Sequence, residues 1–567
     1  MHHDLVIEGG TIIDGSGAPG FRADIAVAAG RIAAIGNGLS GRDRLDARGK
    51  IVAPGFIDIH THYDPQVLWD PALTPSSWHG VTSVVAGNCG FSIAPVRMQG
   101  KATLVGTLEK VEDMDPRTIE SGVSWDFETY GDYLRAVARR KPAINFGGYV
   151  GHTAVRVYVM GDASYERAAT PEETARMKAV VADAIADGAL GFSTDRAGFI
   201  LGHRGKPVPS VVATQEETEA LMAVVAEQGR GTVHIAPGEN FAWLPDFQRR
   251  HGVTVNWSSI LVFPEDMQPP RDYRAKLRLL REARAAGCAI WAQVTCRPII
   301  QQISLKAPYS FSHLACFAEI IAAAPEDRLA LYASRAWREA AAAELALPNK
   351  QQPRWELIRV SETAANPELI GRSIAELAAA EKRHPIDILC AIAIADDLAT
   401  RFSVTFANDD EASVAELLTG DGCIIGLSDA GAHISQICDA VLPTDFLSRW
   451  VRDRRVMPIE AGVRKLTGEL ADVLGIDRGY LRVGAPADLT VFDLDTLSPG
   501  PIRRVRDLPA NGERLIADSP TGVVHVVVNG VPIRRDGAID PAAVAAGPGH
   551  ILSAVSTAGH PDGRRPS

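Results

Sequence analysis

The chain has 567 residues, a hydrophobic content of 46%, a charged content of 22% and a net charge of −11. This length exceeds one ordinary core, so we expect one large domain and one or more smaller units. The negative charge argues against a nucleic-acid partner, and no stretch approaches the roughly 18 continuous apolar residues of a membrane span. Seven scattered cysteines, and a start that lacks a basic segment followed by an apolar one, predict a cytoplasmic protein.

The N-terminal stretch is predicted to form a small antiparallel β unit. Residues 4–50 contain short apolar segments separated by glycine turns, a pattern typical of such a unit. Two further strand patterns lie far away, at residues 487–493 and 522–530. Neither half has enough strands to bury a face alone, so we expect residues 1–52 and 481–540 to pack together as one split β-sandwich.

Between these halves, strand patterns alternate with helical ones. Eight segments are predicted strands: 51–59, 81–86, 143–150, 189–194, 232–236, 253–259, 289–295 and 423–429. This alternation predicts an α/β fold, a (β/α)8 TIM-like barrel over residues 53–480, in which chemistry occurs at the C-terminal strand ends. The stretch of about 300–420 is too long for one helix and loop, so we expect a mainly helical insertion between strands 7 and 8. Residues 541–567 are rich in Gly, Pro, Ala and Ser and are expected to be loose.

Two histidines follow the first of these strands. His60 and His62 are spaced i, i+2, which places both rings on one face of an extended chain. Two neutral imidazoles held a few ångströms apart chelate a divalent metal readily. A lone His-x-His is a weak motif, so the prediction of a metal site depends on the ends of the other strands.

Other strand ends carry further side chains of metal-ligand type. Cys89 follows strand 2 in a glycine-flanked turn, His234 lies in strand 5, and Asp429 ends strand 8. Thiolate, imidazole and carboxylate are the ligands that Zn2+ takes, and an unpaired aspartate is costly to bury at the end of an apolar strand. The alternatives are a buried apolar cysteine and a hydrogen-bonded core histidine. His152, after strand 3, is either a catalytic residue or a hydrogen-bonded rim histidine, and both interpretations stay open.

Several segments give the chain a resemblance to a known family: residues 54–62, 87–91 with 94–97, 191–194, 426–429 and 477–489. Through them the chain resembles the metal-dependent amidohydrolase superfamily and, within it, the N-acyl-D-amino-acid deacylase (D-aminoacylase) family. The Asn-Cys-Gly element is the most specific, because most of the superfamily uses a carboxylated lysine where this family uses a cysteine. The resemblance implies a barrel with a split β-sandwich, Zn2+ as the cofactor, and Asp429 as both a metal ligand and the general acid/base. The other ligands that it implies are His60, His62, Cys89 and His234.

Three segments depart from the family pattern, and they bear on the metal count and the substrate. The family's Ile-Ser-His-Leu-Lys after strand 6 is Trp-Ser-Ser-Ile-Leu at residues 257–261, so a serine replaces a ligand histidine and a leucine replaces a lysine. A Tyr-Pro-Tyr after strand 7 is replaced by residues 294–298, and no His-Pro-Arg follows Asp429. Of one or two Zn2+ ions, these departures favour one well-formed site. The candidate substrate-binding residues are Ser259, Arg297 and His433, with Arg297 the candidate substitute in carboxylate binding.

The predicted function is metal-dependent hydrolysis of a non-peptide amide in a small molecule. The metal would polarise the carbonyl and activate a water molecule, and Asp429 would pass the proton of that water to the leaving nitrogen. His234 or His152 would hold the oxyanion. One alternative changes the bond to a cyclic amide (lactam, hydantoin or imide), a neutral amide, an ester or a carbamate. Another is a non-catalytic, degenerate barrel. No membrane partner is expected, and a homo-oligomer is compatible with the sequence.

Overall fold

The N-terminal strands belong to one large sheet. The structure is a computed structural model that describes residues 3–198, 200–264, 271–308, 311, 314–347 and 353–555. Its first strands are β1 (His3–Ile12), β2 (Phe21–Ala28), β3 (Arg31–Gly36), β4 (Gly41–Asp46) and β5 (Ile51–Pro54). The register of β1 shifts between Ile7 and Gly10; β1 pairs with β4 before the shift and with β5 after it. Gly9, at φ +68°, takes the left-handed conformation that this bulge requires.

Parallel strands follow, and they carry most of the polar residues singled out above. They are β6 (Phe56–Asp58), β7 (Val81–Ala86), β8 (Asn145–Gly148), β9 (Val150–Gly151), β10 (Gly191–Asp195), β11 (Thr232–Ala236), β12 (Val255–Ser258), β13 (Ile290–Val294) and, after an insertion, β17 (Cys423–Ile425). One sheet has the order β6-β7-β8 and another the order β17-β13-β12-β11-β10-β9. An isolated parallel bridge joins Thr61, after β6, to Ala430, after β17. The predicted α/β class is confirmed, and each of the eight predicted strands is present.

Helices connect the parallel strands and cover them. They are α1 (Lys101–Val111), α2 (Pro116–Gly122), α3 (Tyr130–Arg139), α4 (His152–Met160), α5 (Pro171–Ala186), α6 (Pro209–Val212), α7 (Gln215–Glu227), α8 (Leu244–His251) and α9 (Tyr273–Ala285). The start of α5 is set by a capping box, in which the Thr170 hydroxyl accepts from the backbone of Glu173 and the Glu173 carboxylate accepts from the backbone of Thr170. Within the described residues, none of the helices combines the length and apolarity needed to cross a lipid bilayer.

The insertion between β13 and β17 contains a sheet that the sequence analysis did not predict. Its strands β14 (Ile299–Ser304), β15 (Ile358–Glu362) and β16 (Arg401–Ala407) form an antiparallel sheet of order β14-β16-β15. Its helices are α10 (Ala318–Ala322), α11 (Arg328–Ala333), α12 (Arg335–Leu345), α13 (Ile374–Glu381), α14 (Pro385–Ala395) and α15 (Glu411–Thr419). These elements bury a hydrophobic cluster of their own around Phe317, Trp337 and Leu389. Residues 309, 310, 312, 313 and 348–352 of the predicted insertion lie outside the described residues.

The C-terminal strands complete the large sheet. The remaining elements are α16 (Leu442–Asp445), α17 (Ile459–Leu466), α18 (Gly468–Leu474), β18 (Leu489–Phe492), β19 (Ile502–Leu508), β20 (Gly512–Ala517), β21 (Val523–Val528), β22 (Val531–Arg535), β23 (Ala538–Ile539) and α19 (Pro541–Ala546). β18 pairs antiparallel with β5, which gives the order β23-β22-β21-β18-β5-β1-β2-β3 with β4 on β1. The two ends of the chain therefore share one nine-stranded sheet. β19 and β20 form a separate hairpin.

The segment that follows this sheet is ordered, so the prediction of a loose tail over residues 541–567 is wrong as far as residue 555. Phe146, in β8, donates its backbone N–H to the carbonyl of His550 over 2.9 Å and accepts from the N–H of Leu552 over 2.8 Å. Leu552 is only 4% exposed and packs in a cluster with Leu190. A loose tail was predicted because residues 541–567 contain few large apolar side chains. Backbone hydrogen bonds with β8 nevertheless hold the segment in place. Residues 556–567 lie outside the described residues.

Candidate metal centre

The structure brings five of the predicted residues together at the C-terminal ends of the parallel strands. His60 is the shared member: its Nε2 lies 3.1 Å from Oδ1 of Asp429 and 3.4 Å from Sγ of Cys89. Nε2 of His62 lies 3.8 Å from the same Asp429 oxygen, and Nε2 of His234 lies 3.9 Å from the Cys89 sulfur. The donor atoms form two groups, His60–His62–Asp429 and His60–Cys89–His234, each with all its atoms within 4.8 Å of one another.

The chemistry of these donors fits a divalent cation. Imidazole, thiolate and carboxylate are the side chains that bind zinc. Burial and the neighbouring His60 lower the pKa of His62 to about 3, so this ring is neutral and offers a lone pair. Burial alone would raise the pKa of Asp429, but His60 holds it below its ordinary value, so the carboxylate is ionised. Burial lowers the pKa of His60, but Cys89 and then Asp429 raise it well above its ordinary value, so a proton on this ring balances the carboxylate where a bound cation would otherwise do so.

Two amide side chains orient the histidine rings. Oε1 of Gln293 lies 2.5 Å from Nδ1 of His60, and Oδ1 of Asn256 lies 2.8 Å from Nδ1 of His234. The amide of Gln293 also donates to Oδ1 of Asn256 over 2.9 Å, which fixes which end of each amide faces its histidine. With a metal bound, each amide oxygen accepts the proton of Nδ1, and Nε2 of each ring presents the lone pair that the metal binds. The sequence analysis missed both residues; the available signal was a polar side chain inside each of the buried strands β12 and β13.

The turn after β7 sets the position of Cys89. Gly87 has φ +73°, and a Cβ at this position would lie 2.2 Å from the carbonyl oxygen of Tyr149. Cys89 itself is left-handed at φ +54°, between Gly87 and Gly90. Burial raises the pKa of its thiol, while the neighbouring His60 acts in the opposite direction. A bound metal deprotonates such a thiol outright, so the cysteine is suited to a ligand role more than to that of a free nucleophile.

The end of β12 differs from the prediction for Ser259. The hydroxyl of Ser258 lies 3.4 Å from Nε2 of His234 and 3.8 Å from the sulfur of Cys89. Ser258 shares a face of β12 with Asn256, whereas Ser259 lies beyond the end of the strand, and its role in substrate binding stays a prediction. Ser258 is therefore the residue of this strand end that faces the donor atoms. A neutral hydroxyl is a weaker ligand than imidazole, so Ser258 adds little to the donors of the His60–Cys89–His234 group.

His234 fits a ligand role better than the predicted oxyanion-binding role. Burial and the charge of His60 hold its pKa well below the ordinary value, so its ring is neutral. Oδ1 of Asn256 lies 2.8 Å from its Nδ1, and in a metal-bound site this oxygen accepts the Nδ1 proton. Nε2, which faces Cys89 and Ser258, then presents its lone pair to the ion.

His152 lies in a hydrogen-bond network of its own, and its catalytic role stays a prediction. Its Nδ1 is 2.8 Å from the hydroxyl of Thr194, and its Nε2 is 3.1 Å from Oε1 of Glu217. Glu217 also binds Arg156, which is fully buried. Both ring nitrogens of His152 are therefore occupied, and the rim-histidine alternative describes its position.

Arg297 is held by two acidic residues, and its role in carboxylate binding stays a prediction. Its Nε lies 2.7 Å from Oδ1 of Asp439, and its Nη1 lies 3.1 Å from Oδ1 of Asp445. The Arg297 side chain is only 16% exposed, and both carboxylates are largely buried. Two carboxylates already compensate its single charge, so a substrate carboxylate would meet a site of net negative charge.

A buried glutamate on the far side of His62 was not predicted. Oε1 of Glu112 lies 3.4 Å from Nδ1 of His62, and its Oε2 lies 3.7 Å from Nε2 of His433. Burial, and then the charge of Asp429, raise the pKa of Glu112 well above its ordinary value. His433, a predicted substrate-binding residue, is thus close to the donor group, and its side chain is 28% exposed.

Known proteins resemble the chain over nearly its whole length. The amidohydrolase family matches residues 43–534. An N-acyl-D-glutamate deacylase of Alcaligenes xylosoxydans xylosoxydans is 32% identical and a D-aminoacylase of the same organism 30%; each match covers 94% of this chain, and they cover 93% and 95% of those proteins. The crystal structure of N-acyl-D-glutamate deacylase from Bordetella bronchiseptica, complexed with zinc and a phosphonate that mimics the tetrahedral intermediate, has 29% identity and a TM-score of 0.67 over 98% of this chain and 100% of that one. The predicted resemblance is confirmed: the chain belongs to the amidohydrolase family.

Proposed function

We propose that this protein is a metal-dependent amidohydrolase that cleaves a non-peptide C–N bond in a small-molecule amide, in the manner of the N-acyl-D-amino-acid deacylases. The observation that carries the proposal is the convergence of His60, His62 and Asp429, with Cys89 and His234 adjoining, within 4.8 Å in each group. Zinc is the proposed cofactor, because the donor set suits it and a related deacylase structure contains it. One zinc held by His60, His62, Cys89 and Asp429, with His234 near or bound, is favoured over two.

The proposal includes closure of the parallel strands into a (β/α)8 barrel over residues 53–480, with the large sheet as a separate β unit. The bridge between Thr61 and Ala430 supports closure, because it links the ends of the first and last parallel strands. The carbonyl of Ala430 also accepts from the backbone of His62 over 2.8 Å, and the Ser428 hydroxyl donates to the carbonyl of His60 over 3.1 Å. These bonds hold the segment of Asp429 against that of the two histidines.

The residues divide the catalytic work as follows. A bound zinc supplies Lewis-acid polarisation of the scissile carbonyl and lowers the pKa of water toward neutrality. Asp429, ionised and next to His60, accepts a proton on its carboxylate and returns it to the leaving nitrogen. Gln293 and Asn256 keep the histidine rings in the orientation that presents Nε2.

Metal analysis tests the proposal. We expect the purified protein to contain about one zinc per chain, and we expect a chelator to remove both zinc and amidase activity, with zinc restoring activity. Cys89→Ala should lower the zinc content or affinity, whereas Cys316→Ala, in the insertion, should leave both unchanged. A chain that hydrolyses amides equally well after complete zinc removal would refute the proposal.

A second candidate substrate class is favoured by the position of Arg297. Because Asp439 and Asp445 hold this arginine, the site is suited to a cyclic amide, a neutral amide, an ester or a carbamate as well as to an acyl amino acid. A panel that compares N-acetyl-D-amino acids with their carboxamide analogues and with hydantoins separates the two classes. Faster turnover of the carboxamides would select the neutral class, and faster turnover of the free acids would select the deacylase.

A further inference from the structure

The three histidines of the centre differ in the support that their outer ring nitrogens receive. Nδ1 of His60 and Nδ1 of His234 each meet an amide oxygen within 2.8 Å. Nδ1 of His62 is buried and has no hydrogen-bond partner among the described residues. The nearest charged group is Oε1 of Glu112, at 3.4 Å, a few tenths of an ångström beyond a hydrogen bond. The opposite nitrogen of the same ring, Nε2, faces Asp429.

The position of Glu112 is fixed by contacts of its main chain and of the next residue. Glu112 follows α1 directly, and its carbonyl accepts the backbone N–H of His433 over 2.6 Å. Asp113, left-handed at φ +52°, accepts the hydroxyl of Ser435 over 2.5 Å. The chain after α1 is therefore tied to the loop that follows Asp429. Small shifts of either loop would change the distance between Glu112 and His62.

The surroundings of Glu112 leave its carboxylate few partners. The side chain is only 4% exposed, and the rings of His62 and His433 lie 3.4 and 3.7 Å from its carboxyl oxygens. A buried carboxylate is costly unless it is paired or hydrogen-bonded. A histidine that binds a metal through Nε2 carries its proton on Nδ1, where a carboxylate acceptor fixes the ring and makes it a better ligand.

We propose that Glu112 is a positioning residue for the metal centre: its carboxylate accepts the Nδ1 proton of His62 and aims Nε2 of that ring at the ion shared with His60 and Asp429. The inference rests on the proposed function, since it requires a metal at this group. It adds a third oriented histidine to the two that the amide side chains hold. It also gives the connection between β7 and β8 a direct part in metal binding.

Zinc affinity of the full chain tests the proposal without measuring turnover. The zinc-free protein is titrated with zinc against a chromophoric chelator, for wild type, Glu112→Gln, Glu112→Ala and the control Glu109→Gln on the exposed side of α1. We expect Glu112→Ala to bind zinc about 10- to 100-fold more weakly. Glu112→Gln should lose less affinity, because its amide oxygen still accepts from Nδ1. Glu109→Gln should match wild type.

Thermal unfolding separates positioning from a structural role. If Glu112 acts by positioning, we expect zinc-free Glu112→Gln to melt at or above the temperature of wild type, because the amide keeps the volume of a carboxyl group that burial destabilises. We also expect zinc to raise the melting temperature of the Glu112 variants less than that of wild type. Unchanged zinc affinity in both Glu112 variants would overturn the inference and leave the proposed function standing. Wild type that binds no zinc would overturn both. If Glu112→Ala does not fold, the intermediate affinity expected of Glu112→Gln carries the test.

Discussion

Replacing Asp429 with asparagine removes one charge and one proton acceptor from the centre and changes little else. Asp429 has φ +45°, and asparagine tolerates this left-handed conformation well, so the backbone is preserved. In the wild type, Oδ1 of Asp429 lies 3.1 Å from Nε2 of His60 and 3.8 Å from Nε2 of His62, and the asparagine oxygen can take the same position. The amide, however, cannot take a proton from water. General acid–base catalysis contributes roughly 100- to 10,000-fold, which corresponds to a barrier higher by about 3–5 kcal/mol.

The assay pairs kcat/KM on the best substrate of the amide panel with elemental analysis of the same sample. We expect Asp429→Asn to lose most of its turnover while zinc stays bound to the two histidines and Cys89. The matched control is Asp421→Asn, just before β17, where the aspartate is 68% exposed and pairs with Arg284. Activity within about 10-fold of wild type, with zinc bound, would refute the role of Asp429 as proton acceptor.

Two further predictions concern stability. Burial raises the pKa of Asp195 to about 8, against the opposing effects of the Ala197 N–H and Arg196. Between pH 4 and 8 the folded protein therefore holds a proton that the unfolded chain has released, and its stability falls as the pH rises. In Asp195→Asn the free energy of unfolding, measured by urea titration, should fall less over this range. Equal slopes for wild type and variant would contradict this reasoning. Leu552→Ala should lower the free energy of unfolding by about 2–5 kcal/mol, since the side chain is 4% exposed, whereas Val555→Ala, 42% exposed, should change it by less than about 0.5 kcal/mol. A neutral Leu552→Ala would mean that the C-terminal segment does not pack on β8 in solution.

The sequence predicted the features that depend on the spacing of side chains along a strand. It missed the contacts between residues that are distant in the chain. The i, i+2 spacing of His60 and His62 and the apolar runs of the strands were sufficient to place both rings at one strand end. The same period-two rule, applied from Asn256, would have selected Ser258 in place of Ser259. No local rule connects Arg297 with Asp439, because 142 residues separate them and only the fold brings them together.

Glu112 and the C-terminal segment were missed for related reasons. Glu112 lies after a helix in the long connection between β7 and β8, where no strand end marks it, and its importance comes from His62, which lies 50 positions earlier in the chain. Residues 549–552 have an unremarkable composition, and their order depends on the backbone of Phe146. Long connections and terminal segments therefore hold the features that pattern analysis of this chain did not find.

Two strand pairings that need the last part of the chain have a consequence for biosynthesis. β5 pairs with β1, but its second edge acquires a neighbour only when β18 has been made. Phe146 pairs with residues 550–552 only when these leave the ribosome. Domains generally fold as units during synthesis, but here early strands wait for late ones. Until then the nascent chain exposes strand edges at both places, and we expect a molecular chaperone to shield them.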